Sequence, residues 1–338
     1  MTSREIVINT LEFKNGSHRT ARDMGLLPWA RNNYPEDLEK LLIDFPMDLG
    51  GIPIRLKETS KVEKGDMCEP GEATDAWGCT FINAQRGIIG EVKEPLVKDD
   101  EWQDVKKVHI PEEWLSFDID DINSELSKTD KFVCLGFARP FEQLQFIRGT
   151  ENFYIDLMMR PPKMLEFMEK MHDFYCRHLT KLAKTNCDGL FFMDDLGSQN
   201  SLLINPEVWR ELFKPMYKDY IAIAKKHGKK TFMHSDGYIL DIIPDLIDMG
   251  LDALNSQIFC MGTEKLKQFK GKITFWGEID RQRLLPYGSI NDIRKAVNEI
   301  KNNLYKNGGC IAQCEFGIGA KPENVREVFA EWDRLTMK

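Results

Sequence analysis

The chain has 338 residues, with 54 Asp and Glu against 46 Lys and Arg and a formal net charge of −8. Its basic residues are scattered rather than blocked, which argues against nucleic acid or an anionic membrane surface as the main partner. No apolar run reaches the length that spans a bilayer and MTSREIVINT lacks a signal-peptide layout, so a cytoplasmic protein is expected. Eight cysteines without a C-x-x-C pair, mostly among apolar neighbours as in FVCLGF, read as buried thiols rather than a disulfide framework.

Residues 1 to about 125 are the least regular part and read as an N-terminal extension and lid on the main domain. Ser3 can cap a helix over REIVINTLEF, and YPEDLEKLLIDF from Tyr34 to Phe45 gives a second, with Pro35 in its first turn. TDAWGCTFINAQRGIIGEVKEP has the alternation of a hairpin turning near Ala84 to Gly87. Trp77, Trp102 and Trp114 either line a substrate lid or pack the extension onto the main domain.

From Lys131 the rhythm becomes strand, helix, strand, helix. FVCLGF (132–137) is a buried-type strand; Pro161 and Pro162 open a long amphipathic helix; DGLFFMDD ends in Asp194 and Asp195. Asn205 caps a helix running to about His227. A βαβ unit follows: a strand (231–233) ending in His234, Ser235 and Asp236, a helix from Ile239 to Met249, and a strand (253–256) ending at Gln257. ITFWGE (273–278) ends in Glu278 with Asp280 beyond, a capped helix covers about 290–305, CIAQC (310–314) ends in Cys314 and Glu315, and a helix from Pro322 closes the chain.

Regular β-α alternation predicts a parallel sheet with helices outside, either doubly wound or closed. No G-x-G-x-x-G turn follows an early strand, and GIGA at 317–320 lacks the spacing, so a (β/α)8 TIM barrel with an N-terminal extension (1–125) and its main part over 126–338 is expected, as a single domain.

In a barrel the strand ends converge on one mouth, gathering Asp195, His234, Asp236, Gln257, Glu278 and Cys314. Alternation puts His234 and Asp236 on one face and Ser235 on the other. A His, a Cys and a carboxylate from three strands can make a zinc site with an open position; equally, a carboxylate and His234 can handle protons without metal.

The run from DDLGSQNSLLINPEVW through KKTFMHSDGYILDIIPDL to LDALNSQ, with FWGEIDRQRLLPYGS and CEFGIGAKPENV, resembles the uroporphyrinogen decarboxylase superfamily over roughly residues 130–338, and more loosely before that. That superfamily holds both the haem-pathway decarboxylase and the cobamide-dependent methyltransferases. Resemblance to the decarboxylase implies an arginine-rich loop near the N-terminus and a catalytic aspartate; here only Arg31 and, loosely, Asp48 stand at comparable places. Resemblance to the methyltransferases implies zinc on a His-x-Cys strand end and a distant Cys; His234 and Cys314 match, Asp236 replaces the first Cys, and Glu278 is the further carboxylate. The methyltransferase branch is therefore expected: zinc on His234, Cys314 and Glu278, with Asp195, Asp236 and Gln257 as catalytic and substrate-orienting residues, acting on a small-molecule methyl donor or acceptor. No D-x-H-x-x-G motif is present, so a corrinoid would come on a partner protein. A cofactor-free decarboxylase and a non-catalytic binding barrel are the alternatives.

Overall fold

The computed structural model describes residues 1–277 and 279–337. In chain order its strands are β1 (Arg22–Leu26), β2 (Leu49–Gly50), β3 (Gly71–Thr74), β4 (Thr80–Asn83), β5 (Glu91–Val92), β6 (Phe132–Ala138), β7 (Gly189–Met193), β8 (Lys230–Ser235), β9 (Ala253–Ser256), β10 (Thr274–Phe275) and β11 (Ala312–Phe316). A parallel ladder runs β2-β6-β7-β8-β9-β10, and β1 pairs in parallel with β11. Two short links join these into a ring. Phe275 bridges Cys310 in parallel, its amide donating to Gly309 O at 2.9 Å, and the Asp48 amide donates to Arg22 O at 2.9 Å. Among the described residues, eight parallel strands therefore close a (β/α)8 barrel, as the β-α rhythm predicts.

Two of those strands, β1 and β2, come from the part of the chain that reads as an extension. RDMGL carries charge at its first two positions and β2 is only two residues long, so neither shows a buried-strand run. The extension proper is a helix, Ser3–Leu11, and an insertion between β2 and β6. A capping box starts the helix: Thr2 and Glu5 satisfy each other's backbone amides at 2.8 and 3.2 Å. Its Ile6, Val7 and Leu11 join Phe132, Phe232, Ala253 and Ile311 in an apolar cluster that fills the barrel's interior and floor. A larger cluster lies between strands and outer helices.

The insertion contains an antiparallel sheet, β3-β4-β5, with the expected hairpin between β4 and β5 in the register Phe81 opposite Val92. Its tryptophans pack rather than line a lid. Trp77 is buried edge-on against Phe174 with centroids 5.6 Å apart, and Trp114 lies 6.0 Å from the same ring. Trp102 donates its indole N–H to Asp156 at 2.8 Å, where Arg148 also binds that carboxylate at 2.6 Å. Phe174 belongs to the helix Pro162–Ala183, so the aromatic layer fixes the insertion to the barrel's outer face.

Helices expected as single pieces are broken where proline falls. The helix after Asn205 divides into Pro206–Leu212 and Lys214–Lys226 around Pro215, and that after β8 begins as a 3-10 turn before Ile243–Met249, with Pro244 in its first turn. Among the described residues no helix is long and apolar enough to cross a membrane.

Phe232 ties the interior together, its ring 5.4 Å from Phe132 and 5.3 Å from Trp276. Phe232→Ala should cost about 3–5 kcal/mol, since the packed floor cannot collapse onto the vacated volume. Urea denaturation checks this; a loss below about 1 kcal/mol would contradict the packing described.

Candidate metal and substrate site

The alternation of β7 and β8 decides which polar residues meet. Phe191 and Phe232 point into the barrel, as their packing against the interior cluster shows, so two-residue steps aim Asp195, His234 and Asp236 inward at the mouth. Asp194 points the other way: fully buried, it accepts the amides of Phe141 and Glu142 at 2.9 and 2.7 Å and the Tyr217 hydroxyl, capping the helix Pro140–Arg148. Ser235, also outward, accepts the Leu196 amide at 3.1 Å.

Two loops cross to bring Asp195 and Asp236 together. The Gly197 amide donates to Asp236 O at 3.1 Å and the Tyr238 amide to Ser198 O at 2.7 Å. At the crossing, a Cβ on Gly237 (φ +80°) would collide with the Gly197 carbonyl, so only glycine permits the approach. The Asp236 amide in turn donates to Asp195 Oδ1 at 3.0 Å.

His234 Nε2 lies 3.3 Å from Asp195 Oδ1 and 3.6 Å from Asp236 Oδ1. One ligand atom from each of the three falls within 4.8 Å of the others, the spacing of a divalent-cation site. Asp236 Oδ1 is buried and has no hydrogen-bond partner among the described residues. A buried carboxylate oxygen left this way is costly unless a proton or a cation is its intended partner. Burial opposes charge on His234, but the hydrogen bond and charge of Asp195, with Asp236 and Asn255, outweigh it and raise the imidazole to about 9. Burial would likewise raise Asp195, yet His234 and the Asp236 amide bring it below the usual carboxylate range.

Arg281 and Glu142 complete the electrostatics, and neither was a site residue by sequence. Arg281 donates to Glu315 Oε2 at 2.7 Å and, through its other terminal nitrogen, to Asp236 Oδ2, joining the loop after β10 to the ends of β8 and β11. Burial raises Glu315 against the pull of Arg281. Glu142, in the first turn of Pro140–Arg148 and 3.4 Å from Arg139, is pushed up to about 7 by burial and by the Asp195 charge, against the pull of Arg139 and His234. The sequence signal for Glu142 is the R-P-F-E turn after β6, where Pro140 opens the helix and places Glu142 in its first turn.

The other expected residues are distributed as follows. Gln257 follows β9 and lines a pocket of ≈ 270 Å³ with Gln199, Cys260, Arg281 and Arg283 among others, so Arg281 borders both this pocket and the carboxylate cluster. The structure does not bring Cys314 to the cluster. On β11, Gln313 and Glu315 flank Gly25 on the inner face; Cys314 pairs in register with Met24 and lies buried with it in the layer beneath the outer helices. The sequence predicts a strand ending at Cys314, but β11 runs on to Phe316, and its alternation turns the Cys314 side chain outward. Glu278 lies outside the described residues. Asp48 sits at the barrel's opposite end: it accepts both terminal nitrogens of Arg19 at 2.5 and 2.8 Å and the Arg22 amide at 2.8 Å, tying β2 to β1 at the floor. Arg31 is exposed.

Among solved structures, the chain is similar to a methyltransferase from Methanosarcina mazei, at 14% identity and a TM-score of 0.67 over 99% of both chains. A glycosylated endo-beta-1,4-xylanase from Gloeophyllum trabeum is matched over 64% of this chain and 80% of its own, at 12% identity and a TM-score of 0.37, too low to carry an argument. The first likeness carries the barrel fold with its extension. No curated protein sequence matches. The family model for uroporphyrinogen decarboxylase (URO-D) matches residues 73–335, well over half of the chain. This chain belongs to the uroporphyrinogen decarboxylase (URO-D) family.

Proposed function

We propose that the protein is a methyltransferase moving a methyl group between a small molecule and a corrinoid carried by a partner protein, in the cytoplasm, assisted by zinc on Asp195, His234 and Asp236. The observation that carries this reading is the triad itself, above all the buried Asp236 Oδ1, which faces His234 Nε2 at 3.6 Å and has no hydrogen-bond partner among the described residues. The full-length structural neighbour from Methanosarcina mazei is itself a methyltransferase, which supports the same branch.

The residues present fit a divalent ion: two carboxylates and an imidazole converge, one ligand atom of each within 4.8 Å of the others. Zinc accepts such a set, which is harder than the thiolate-containing one that resemblance implies. Bound there, zinc would polarise a methyl donor or lower the pKa of an acceptor. Arg281 holds Asp236 and Glu315 in place and offsets part of their charge. Gln257 and its neighbours offer amide groups to orient a polar small molecule in the adjoining pocket. Glu142, poised near neutrality beside the triad, can hold or release a proton at its carboxyl as the substrate changes charge. The corrinoid carrier would dock over the mouth. Weighing against the decarboxylase reading, Asp48 is engaged by Arg19 at the barrel floor and Arg31 stands exposed outside the cluster.

Elemental analysis should find about one equivalent of zinc in the parent and in Cys314→Ala, and loss of it in His234→Ala and Asp236→Ala, weakened by on the order of 100-fold or more. With methylcobalamin as the probe, demethylation by a panel of small nucleophiles should follow zinc content. Zinc absent from the parent would sink the metal; metal-free decarboxylation of uroporphyrinogen would move the reading to the other branch.

Without metal, the raised His234 pKa stabilises the fold. A pKa near 9 folded against about 6.5 unfolded gives a contribution complete below about pH 6.5 and lost as pH rises through about 9, on the order of 3 kcal/mol. Denaturation of chelator-treated protein should show this decline, and His234→Gln should flatten it. A metal-free parent whose stability is level from pH 6.5 to 9 would contradict the site's electrostatics.

A further inference from the structure

His234 and Asn255 stand directly opposite each other in the β8–β9 register. His234 Nδ1 lies 2.5 Å from Asn255 Oδ1, and the Asn255 amide nitrogen donates to the main-chain carbonyl of Trp276. We propose that Asn255 is a positioning residue that fixes the tautomer of His234, holding the proton on Nδ1 so that Nε2 presents a lone pair to the mouth.

The assignment follows from what each group can do. A main-chain carbonyl only accepts, so the end of the Asn255 amide that faces Trp276 O must be its NH2. That leaves Oδ1 toward His234. Oδ1 also only accepts, so Nδ1 must carry a hydrogen. In a neutral ring Nε2 is then bare, and it is the atom 3.3 Å from Asp195 and 3.6 Å from Asp236.

The anchor of this chain is itself immobilised. Trp276 donates its amide to Leu254 O at 2.8 Å and its indole N–H to Asp23 Oδ2 at 2.8 Å, and its ring stands edge-on to Phe232 and Phe191. Asp23 belongs to β1, so a line of hydrogen bonds and packing runs from the first strand across the barrel interior to His234. Asn255 is buried, so water does not compete for the Nδ1 proton. Without that partner the hydrogen of a neutral ring would pass to Nε2, where Asp195 Oδ1 accepts at 3.3 Å; with it, at the shorter 2.5 Å, the ring is a ready ligand through a single atom, the device by which outer groups orient metal-binding histidines.

The consequence for zinc rests on the reading under Proposed function, but the tautomer does not, and the test separates them. In the metal-free parent, at a pH above the His234 pKa of about 9, nitrogen-15 NMR of the ring should show a protonated Nδ1 and a bare Nε2. Asn255→Leu should show the hydrogen moved to Nε2, facing Asp195, and bind zinc about 10- to 100-fold more weakly. A parent ring protonated on Nε2 overturns the inference without any variant, as does an Asn255→Leu ring identical to the parent's. A parent that takes up no zinc yet shows the Nδ1–H tautomer overturns the metal reading and upholds this one.

Discussion

Taking charge out of water is the constraint around which this barrel is arranged. Its mouth gathers Glu142, Asp195, Asp236 and Glu315, and no such group of carboxylates is stable unless cations or protons answer it. Three answers are built in. Arg281 spans Asp236 and Glu315, Arg139 reaches Glu142, and His234 takes a proton between Asp195 and Asp236. One oxygen, Asp236 Oδ1, stays without a hydrogen-bond partner among the described residues, and a divalent ion in place of the imidazolium proton would satisfy it.

That arrangement depends on the scaffold below. The ring closes through short links at β10–β11 and β1–β2, and Arg281 after β10 thereby reaches the ends of β8 and β11. The aromatic floor of Phe132, Phe191, Phe232 and Trp276 then shields the mouth from water beneath. The same Trp276 that fills this floor supplies the carbonyl that orients Asn255, so packing and tautomer share one residue. Glycines at 197 and 237 let the two acid-bearing loops touch, a contact any side chain would block.

The apolar layers show a division of labour. The helix Ser3–Leu11 closes the interior from below, while the tryptophans of the insertion are spent on its outer face. The insertion thus stabilises the barrel from outside, and the polar chemistry is left to loops after the strands, where rigid strand ends aim side chains and loops are free to differ.

Much of this was legible in the sequence because it rests on local pattern. The β-α rhythm from Lys131, the absence of a phosphate turn and the H-x-D strand end determined a barrel with His234 and Asp236 side by side, since alternation along one strand is a local property. Strands β1 and β2 were not legible, because their charged or very short segments are strands only through partners more than 80 residues away or at the far end of the chain. Cys314 and Asp48 mark the same limit from the other side: residue type and position along the chain suggested chemistry, but strand register turned one outward and placed the other at the floor. Arg281 and Asn255 were decided by tertiary structure alone. Each acts through a neighbour on another strand or loop, and which neighbours meet is set by barrel closure, a long-range constraint that no local spacing encodes.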